Sequence, residues 1–96
     1  MENISHINSL LNQHKIDLQK KYNIKQLGVF GSYSRGDQVE ESDVDILVEF
    51  EKPIGLDFVS LAEDLENILK LKVDLVSKGA IKDKVFDLIK KDLIYV

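Results

Sequence analysis

Apolar side chains recur every three or four positions in three stretches of the chain, and this spacing predicts three amphipathic helices. The stretches are residues 3–21, 56–71 and 81–91. The apolar face of the first is formed by Ile4, Ile7, Leu10, Leu11, His14 and Leu18, and that of the second by Phe58, Leu61, Ala62, Leu65, Ile68 and Leu69. Asp64 and Glu66 fall on the opposite side of the second helix. Each helix therefore has one face with which to cover another layer of the fold.

Four shorter stretches, rich in apolar and β-branched residues, are typical of strands. They are Ile24–Phe30, Val44–Phe50, residues 72–77 and residues 93–96. The polar segment 31–42, which holds two glycines, lies between the first two strands and is predicted to be a loop or a loop with one helical turn. This connection is short for a helix packed on a sheet, so the first two strands are expected to be antiparallel.

The alternation of helices and strands indicates an α/β (α+β) fold, in which helices flank a small mixed β-sheet. The chain has 96 residues, and we expect residues 1–96 to form a single domain. Specificity for a large substrate would then depend partly on contacts supplied by a partner.

Composition narrows the classes of function. The net charge is −4 and the lysines are scattered among acids, which argues against direct binding of nucleic acid. No apolar run approaches the roughly 20 residues of a membrane-spanning helix, and the first 23 residues lack the apolar core of a signal peptide. The absence of cysteine excludes thiolate metal sites and fits a cytoplasmic protein.

Two aspartates at the start of the second strand are the first candidate for chemistry. Asp43 and Asp45 bracket Val44, so both carboxylates are expected on one face of the sheet, where they repel each other. Asp74, in the third strand, has similar apolar neighbours and could reach the same place. Oxygen ligands of this kind suit Mg²⁺, and three carboxylates could hold two ions about 4 Å apart. We therefore interpret Asp43, Asp45 and Asp74 as catalytic metal ligands.

A glycine–serine turn at the end of the first strand is the second candidate. Gly31 allows a sharp turn and a close approach to a ligand, and Ser32 offers an amide and a hydroxyl to phosphate oxygens. Ser32 could instead cap a helical turn. Arg35 could bind a phosphate, or it could form a surface ion pair with Asp37 or Glu40.

The spacing Gly-Ser-x10-Asp-x-Asp, which runs from Gly31 to Asp45, resembles the signature of the DNA-polymerase-β-like nucleotidyltransferase superfamily. Residues 30–37, 42–50 and 72–77 closely resemble the minimal nucleotidyltransferases (MNT), antitoxins usually encoded beside a HEPN-domain toxin. This resemblance implies the polymerase-β-like fold, ATP as co-substrate, Mg²⁺, and transfer of AMP to a tyrosine hydroxyl of the toxin.

The same resemblance implies a role for each site residue. Asp43 and Asp45 would ligate both metal ions, and Asp74 would ligate the catalytic ion and help to activate the attacking hydroxyl. Gly31 and Ser32 would hold the distal phosphates. The role of Tyr33, which borders the site, is left open.

Two other functions remain possible from the sequence. One is nucleotidyl transfer to a small molecule such as an aminoglycoside, although such enzymes usually carry a further acceptor-binding domain. The other is an antitoxin that acts by binding alone. Tyr22, Tyr33 and Tyr95 are further candidates as acceptors for self-modification, but packing at the sheet edges is favoured for Tyr22 and Tyr95. His6 and His14 are expected to have no catalytic role.

Overall fold

The computed structural model describes residues 3–53 and 55–96 and confirms the predicted succession of helices and strands. The helices are α1 (Ile4–Tyr22), α2 (Gly31–Arg35), α3 (Asp57–Leu69) and α4 (Asp83–Ile89), with a 3₁₀ turn at Lys78–Ala80. The strands are β1 (Ile24–Phe30), β2 (Val44–Phe50), β3 (Val73–Ser77) and β4 (Ile94–Tyr95). The last helix and the last strand are shorter than predicted, and the segment after β1 contains the single helical turn that the sequence allowed.

Asparagine residues cap both ends of the first helix. The side chain of Asn3 accepts a hydrogen bond from the backbone N–H of His6 at 3.0 Å, which satisfies one of the free amides of the first turn. Asn23 adopts the left-handed conformation, with φ of 56°, and its N–H is bonded to the carbonyl of Gln19. The chain turns there directly into β1.

The four strands form one mixed sheet in the order β3-β2-β1-β4. As predicted, β1 and β2 are antiparallel; β4 is antiparallel to β1, and β3 is parallel to β2. Glycine at position 28 leaves room for β4 to pair with β1. A β-carbon at that position would lie 2.7 Å from Cδ1 of Leu93 and 3.0 Å from the carbonyl oxygen of Ile94. The mixed sheet and its flanking helices confirm the predicted fold class.

The core lies between one face of the sheet and helices α1 and α3. Val29, Ile46 and Val48 are fully buried on that face, and they pack with Leu11 of α1 and Leu61 of α3 in one apolar cluster. Since side chains alternate along a strand, Asp45 points to the opposite face from Ile46. The core therefore fixes the position of the acidic side of the sheet.

Asp64 and Glu66, the two acids predicted on the outer side of α3, accept hydrogen bonds from neighbouring elements. The carboxylate of Asp64 accepts hydrogen bonds from the hydroxyl of Tyr22 and from Nζ of Lys21, the latter at 2.9 Å. Glu66 accepts one from the backbone N–H of Val73 at 3.0 Å. These contacts join α3 to α1 and to β3. Within the described part of the chain, no helix is long and apolar enough to cross a membrane.

Candidate functional site

The site begins where β1 ends and the chain turns into α2. Gly31 has φ of +76°, a left-handed conformation that glycine adopts without steric cost. Its missing side chain matters as well: a β-carbon there would lie 3.1 Å from Cγ of Asp45 and closer still to Oδ2. The backbone of the turn and the carboxylate of Asp45 are therefore in direct contact, which only glycine permits.

Strand register brings the second and third acids to the same region. Asp45 pairs with Phe30 across β1–β2 and with Asp74 across β2–β3. Paired residues on neighbouring strands lie about 5 Å apart and point to the same face. Phe30, Asp45 and Asp74 thus form a line across three strands. Gly31 follows Phe30 directly, and Asp43 lies just before β2, two residues from Asp45.

The electrostatics of Asp45 agree with this placement. Its pKa is raised above 3.8, first by partial burial and then by the negative charges of Asp74 and Asp43; the positive charge of Arg35 opposes the shift. All three charged neighbours are close enough to influence the carboxyl group. The structure therefore brings together three predicted metal ligands and the arginine of the same loop.

The donor set fits a hard divalent cation. Three carboxylates supply only oxygen ligands, which Mg²⁺ prefers, and a cation would offset the repulsion that raises the pKa of Asp45. Nevertheless, no three acidic, histidine or cysteine side chains among residues 3–53 and 55–96 already stand in a metal-holding arrangement.

The two other predicted ligand-binding residues belong to α2. Phe30 occupies the N-cap position, so Ser32 does not cap this helix. The carbonyl of Ser32 instead closes the turn, accepting hydrogen bonds from the N–H groups of Gly36 and Asp37 at 2.9 and 3.0 Å. Ser32 as a whole is partly exposed in the first turn of the helix.

Arg35 forms the ion pair with Asp37 that the sequence allowed, at 3.1 Å, and a second with Asp92, at 2.7 Å. The Ser34 hydroxyl also donates a hydrogen bond to the backbone carbonyl of Asp92. Asp92 was not predicted, because it lies 57 residues beyond Arg35 and no local motif marks it. It ties α2 to the turn that leads into β4.

The tyrosines differ in accessibility. Tyr33 is only 2% exposed and packs in the apolar core. Tyr22 is also buried, and its hydroxyl is bonded to Asp64. Tyr95 on the short strand β4 is 47% exposed. Burial thus argues against self-modification at Tyr33 and Tyr22.

Comparison with known proteins identifies related chains. A family model described as a nucleotidyltransferase domain matches residues 11–96. A Methanocaldococcus jannaschii protein, provisionally named a protein adenylyltransferase, is 50% identical, with 100% of both chains covered. The protein adenylyltransferase MntA of Thermococcus cleftensis is 43% identical over 100% of this chain and 98% of its own.

Solved structures give the same result at the level of the fold. A toxin–antitoxin crystal structure with AMP-PNP has a chain that is 26% identical, with a TM-score of 0.73, covering 86% of this chain and 69% of that one. A complex of a tri-AMPylated HEPN toxin from Shewanella oneidensis with its MNT antitoxin matches with a TM-score of 0.68 over 93% of this chain and 70% of that chain. At 22% identity, the second match supports the fold alone.

Proposed function

Because this chain belongs to the nucleotidyltransferase domain family, we propose that it transfers AMP from ATP to a tyrosine hydroxyl of a HEPN-domain toxin and so acts as its antitoxin. Its likeness over full length to a protein adenylyltransferase named MntA supports the transfer of AMP to a protein. The toxin–antitoxin structure with AMP-PNP, in which the matching chain is 26% identical, supports a toxin as the partner. The resemblance of residues 30–37, 42–50 and 72–77 to the MNT antitoxins supports a HEPN-domain toxin in particular.

One observation supports this proposal most directly: the Gly31 turn lies against the carboxylate of Asp45, and Asp45 is paired with Asp74 on the neighbouring strand. A glycine turn lets phosphate oxygens approach backbone amides, and the acids beside it supply metal ligands. The distal phosphates of ATP would therefore lie at Gly31 and Ser32, and the α-phosphate beside Asp43 and Asp45.

Asp43, Asp45 and Asp74 would hold Mg²⁺, which supplies neutralising charge to the phosphates and to the attacking oxygen when it is bound. In the transfer itself, the tyrosine oxygen forms a bond to the α-phosphorus while the bond to the bridging oxygen breaks and pyrophosphate leaves. Asp74, which is exposed on β3, would accept the hydroxyl proton. Arg35 would contact a phosphate from α2.

The test is a labelling experiment with ATP radiolabelled at the α-phosphate. The purified protein is incubated with Mg²⁺ and the HEPN-domain protein of its own host, beside the double variant Asp43→Asn/Asp45→Asn. We expect a labelled HEPN band with the intact acids only, and mass spectrometry should find AMP attached to a tyrosine oxygen through its phosphate. The double variant should keep its fold and its partner, because losing two charges relieves repulsion.

Glu40→Gln/Glu41→Gln is the matched control, since it removes two charges from the exposed loop that precedes β2, outside the acidic site. It should label the partner as well as the unmodified protein does. Labelling that survives the loss of Asp43 and Asp45 would refute the site. In cells that express both proteins, protection by an unlabelled complex would indicate an antitoxin that acts by binding alone. In host lysate, label found only on a metabolite would indicate a small-molecule acceptor.

A further inference from the structure

One carboxylate in the turn before β4 contacts the helical turn that is proposed to bind phosphate. We propose that Asp92 is a positioning residue for the nucleotide: it orients the guanidinium group of Arg35 so that this group can contact a phosphate of ATP. The inference rests on the proposed function, because it concerns the nucleotide of the same transfer reaction.

The register of β4 brings Asp92 to the end of β1. In this antiparallel pair, Ile94 lies opposite Val29, so each step forward in β1 is matched by one step back in β4. Two further steps of the same register bring Gly31 and Asp92 to the same level. Since β2 lies on the other side of β1, the Gly31 turn has the acidic site on one side and Asp92 on the other.

Two contacts from α2 end on Asp92. Nη1 of Arg35 donates to its carboxylate at 2.7 Å, and the hydroxyl of Ser34 donates to its backbone carbonyl. Asp92 is itself held in the turn, because its own N–H donates to the carbonyl of Ile89 at 3.1 Å. The position of this acceptor is therefore set by the fold and not by the flexible side chain of Arg35.

Asp37, the other partner of Arg35, constrains the guanidinium group less. It lies only two residues away in the same loop, and its side chain is 60% exposed, against 27% for Asp92. An exposed pair within one loop is screened by solvent and moves with that loop. Asp92 comes from a segment 57 residues further along the chain, so it fixes the guanidinium group relative to the sheet.

The two ion pairs do not use up the donors of Arg35. A guanidinium group has five N–H donors, and the contacts to Asp37 and Asp92 are made by one N–H of Nε and one of Nη1. The two carboxylates thus compete for its charge while a phosphate can still accept a hydrogen bond from it. The charge of Arg35 also lowers the pKa of Asp45. The group that Asp92 holds is therefore within electrostatic range of the acidic site.

Orientation and charge act in opposite directions on nucleotide binding. As a negative charge, Asp92 repels the phosphates, so removing that charge alone should tighten binding. As a hydrogen-bond acceptor, it keeps the long side chain of Arg35 in one conformation, and without it that ordering would oppose binding. We expect the effect of orientation to be larger, since solvent screens the repulsion. The sign of the change in affinity therefore tells positioning from competition.

The test measures the Kd for AMP-PNP with Mg²⁺ by calorimetry, and the KM for ATP and the kcat by labelling of the HEPN-domain protein. Asp92→Ala removes the acceptor and should raise the Kd and the KM about three- to tenfold, the effect of ordering one long side chain. Asp92→Asn keeps an oxygen acceptor for Nη1 and should stay within about twofold of the unmodified protein. The kcat should stay nearly unchanged, because a contact made equally in the ground and transition states affects the KM alone.

A double-mutant cycle separates positioning from a structural role. If Asp92 acts through Arg35, Asp92→Ala should no longer weaken the binding of AMP-PNP once Arg35→Gln is present. Damage to the turn would weaken binding by the same factor in both backgrounds. Asp87→Ala is the matched control, because it removes an exposed aspartate that pairs with Lys90 at 3.2 Å on α4. It should leave the Kd unchanged, and melting curves show whether each variant keeps its fold.

Tighter or unchanged binding of AMP-PNP in folded Asp92→Ala would overturn the inference, since Asp92 would then only compete with the phosphate. An equal rise in Kd with and without Arg35 would also overturn it, while the proposed function would stand. An unmodified protein that binds AMP-PNP but labels no partner would overturn the proposed function instead, because the Kd would still measure the role of Asp92.

Discussion

Gly31 and Asp45 occupy adjoining space at the junction of β1, α2 and β2: a β-carbon on Gly31 would lie 3.1 Å from Cγ of Asp45. The glycine also has a left-handed φ of +76°. Two separate constraints, conformation and space, thus act on one residue. The carboxylate of Asp45 lies against the backbone of the turn proposed to bind phosphate.

The two constraints can be separated by mutation. Gly31→Ala should lose about 1–2 kcal/mol of stability from its left-handed backbone and should displace the carboxylate of Asp45. A displacement of about 1 Å at a reacting group costs on the order of a hundredfold in rate, so we expect a loss of that size in labelling. Thermal melting and initial labelling rates measure the two effects.

Gly36→Ala is the control for conformation alone. Gly36 has φ of +83° at the end of the same helix, but a β-carbon there meets nothing within 4 Å. It should lose a similar amount of stability and keep most of its activity. Equal losses of activity in both variants would show that the contact with Asp45 is unimportant.

The raised pKa of Asp45 gives a prediction for the metal-free protein. Burial raises it first, followed by Asp74 and Asp43, while Arg35 lowers it. Asp74→Asn should therefore lower the pKa of Asp45, and Arg35→Gln should raise it. Carbon-detected NMR titration of the carboxyl groups, with a chelator present, measures both shifts. Opposite signs would show that these groups do not act on Asp45 through their charge.

The same shift has a consequence for stability. Because the folded protein binds the proton of Asp45 more tightly than the unfolded chain does, this group lowers stability as the pH rises from 3.8 through the folded pKa. Asp45→Asn should remove that loss. The variant should therefore gain stability relative to the unmodified protein as the pH increases across this window, as measured by urea unfolding. A constant difference would contradict the prediction.

Arg35 is predicted to bind a phosphate of ATP, but two carboxylates compete for its guanidinium group. It already pairs with Asp37 and Asp92, but its charge still reaches Asp45. Arg35→Gln should raise the KM for ATP about tenfold or more, the size expected for one lost charge-assisted hydrogen bond. Lys84→Gln, which removes an exposed charge from α4, is the control and should leave the KM unchanged. An unchanged KM in Arg35→Gln would leave the ion pairs as its only role.

Most of the fold could be predicted from the sequence, because at most helices and strands the spacing of the apolar residues agrees with the polar residues that bound the segment. The segment Val44–Phe50 is rich in β-branched residues and bounded by polar ones, and it forms β2 with the predicted limits. The ends of α4 were predicted less well. None of its residues is buried, so its few apolar side chains do not mark where it starts and stops.

The candidate site was also predicted in outline, because its residues lie in short local motifs. What local sequence cannot supply is contact between distant segments. The pairing of Arg35 with Asp92, the contact of Gly31 with Asp45 and the hydrogen bond from Tyr22 to Asp64 all depend on how the helices and strands assemble.

The last prediction concerns the hydrogen bond between Tyr22 and Asp64, which attaches α1 to α3. Tyr22 is buried, and its hydroxyl donates to the carboxylate of Asp64. Tyr22→Phe should destabilise the protein by about 1.5–3 kcal/mol at neutral pH, the usual range for a hydrogen bond to a charged group. Tyr95→Phe, at an exposed position on β4, should change stability little. Urea unfolding of the two variants measures the difference.

The effect of Tyr22→Phe should also depend on pH. The hydrogen bond from Tyr22, and then that from Lys21, lowers the pKa of Asp64 below 3.8. A lowered carboxyl pKa stabilises the fold above 3.8, and this contribution is lost as the pH falls through the folded pKa. The gap in stability between the unmodified protein and Tyr22→Phe should therefore narrow in strong acid. A gap that stays constant there would show that the hydroxyl acts by packing rather than by binding the charged carboxylate.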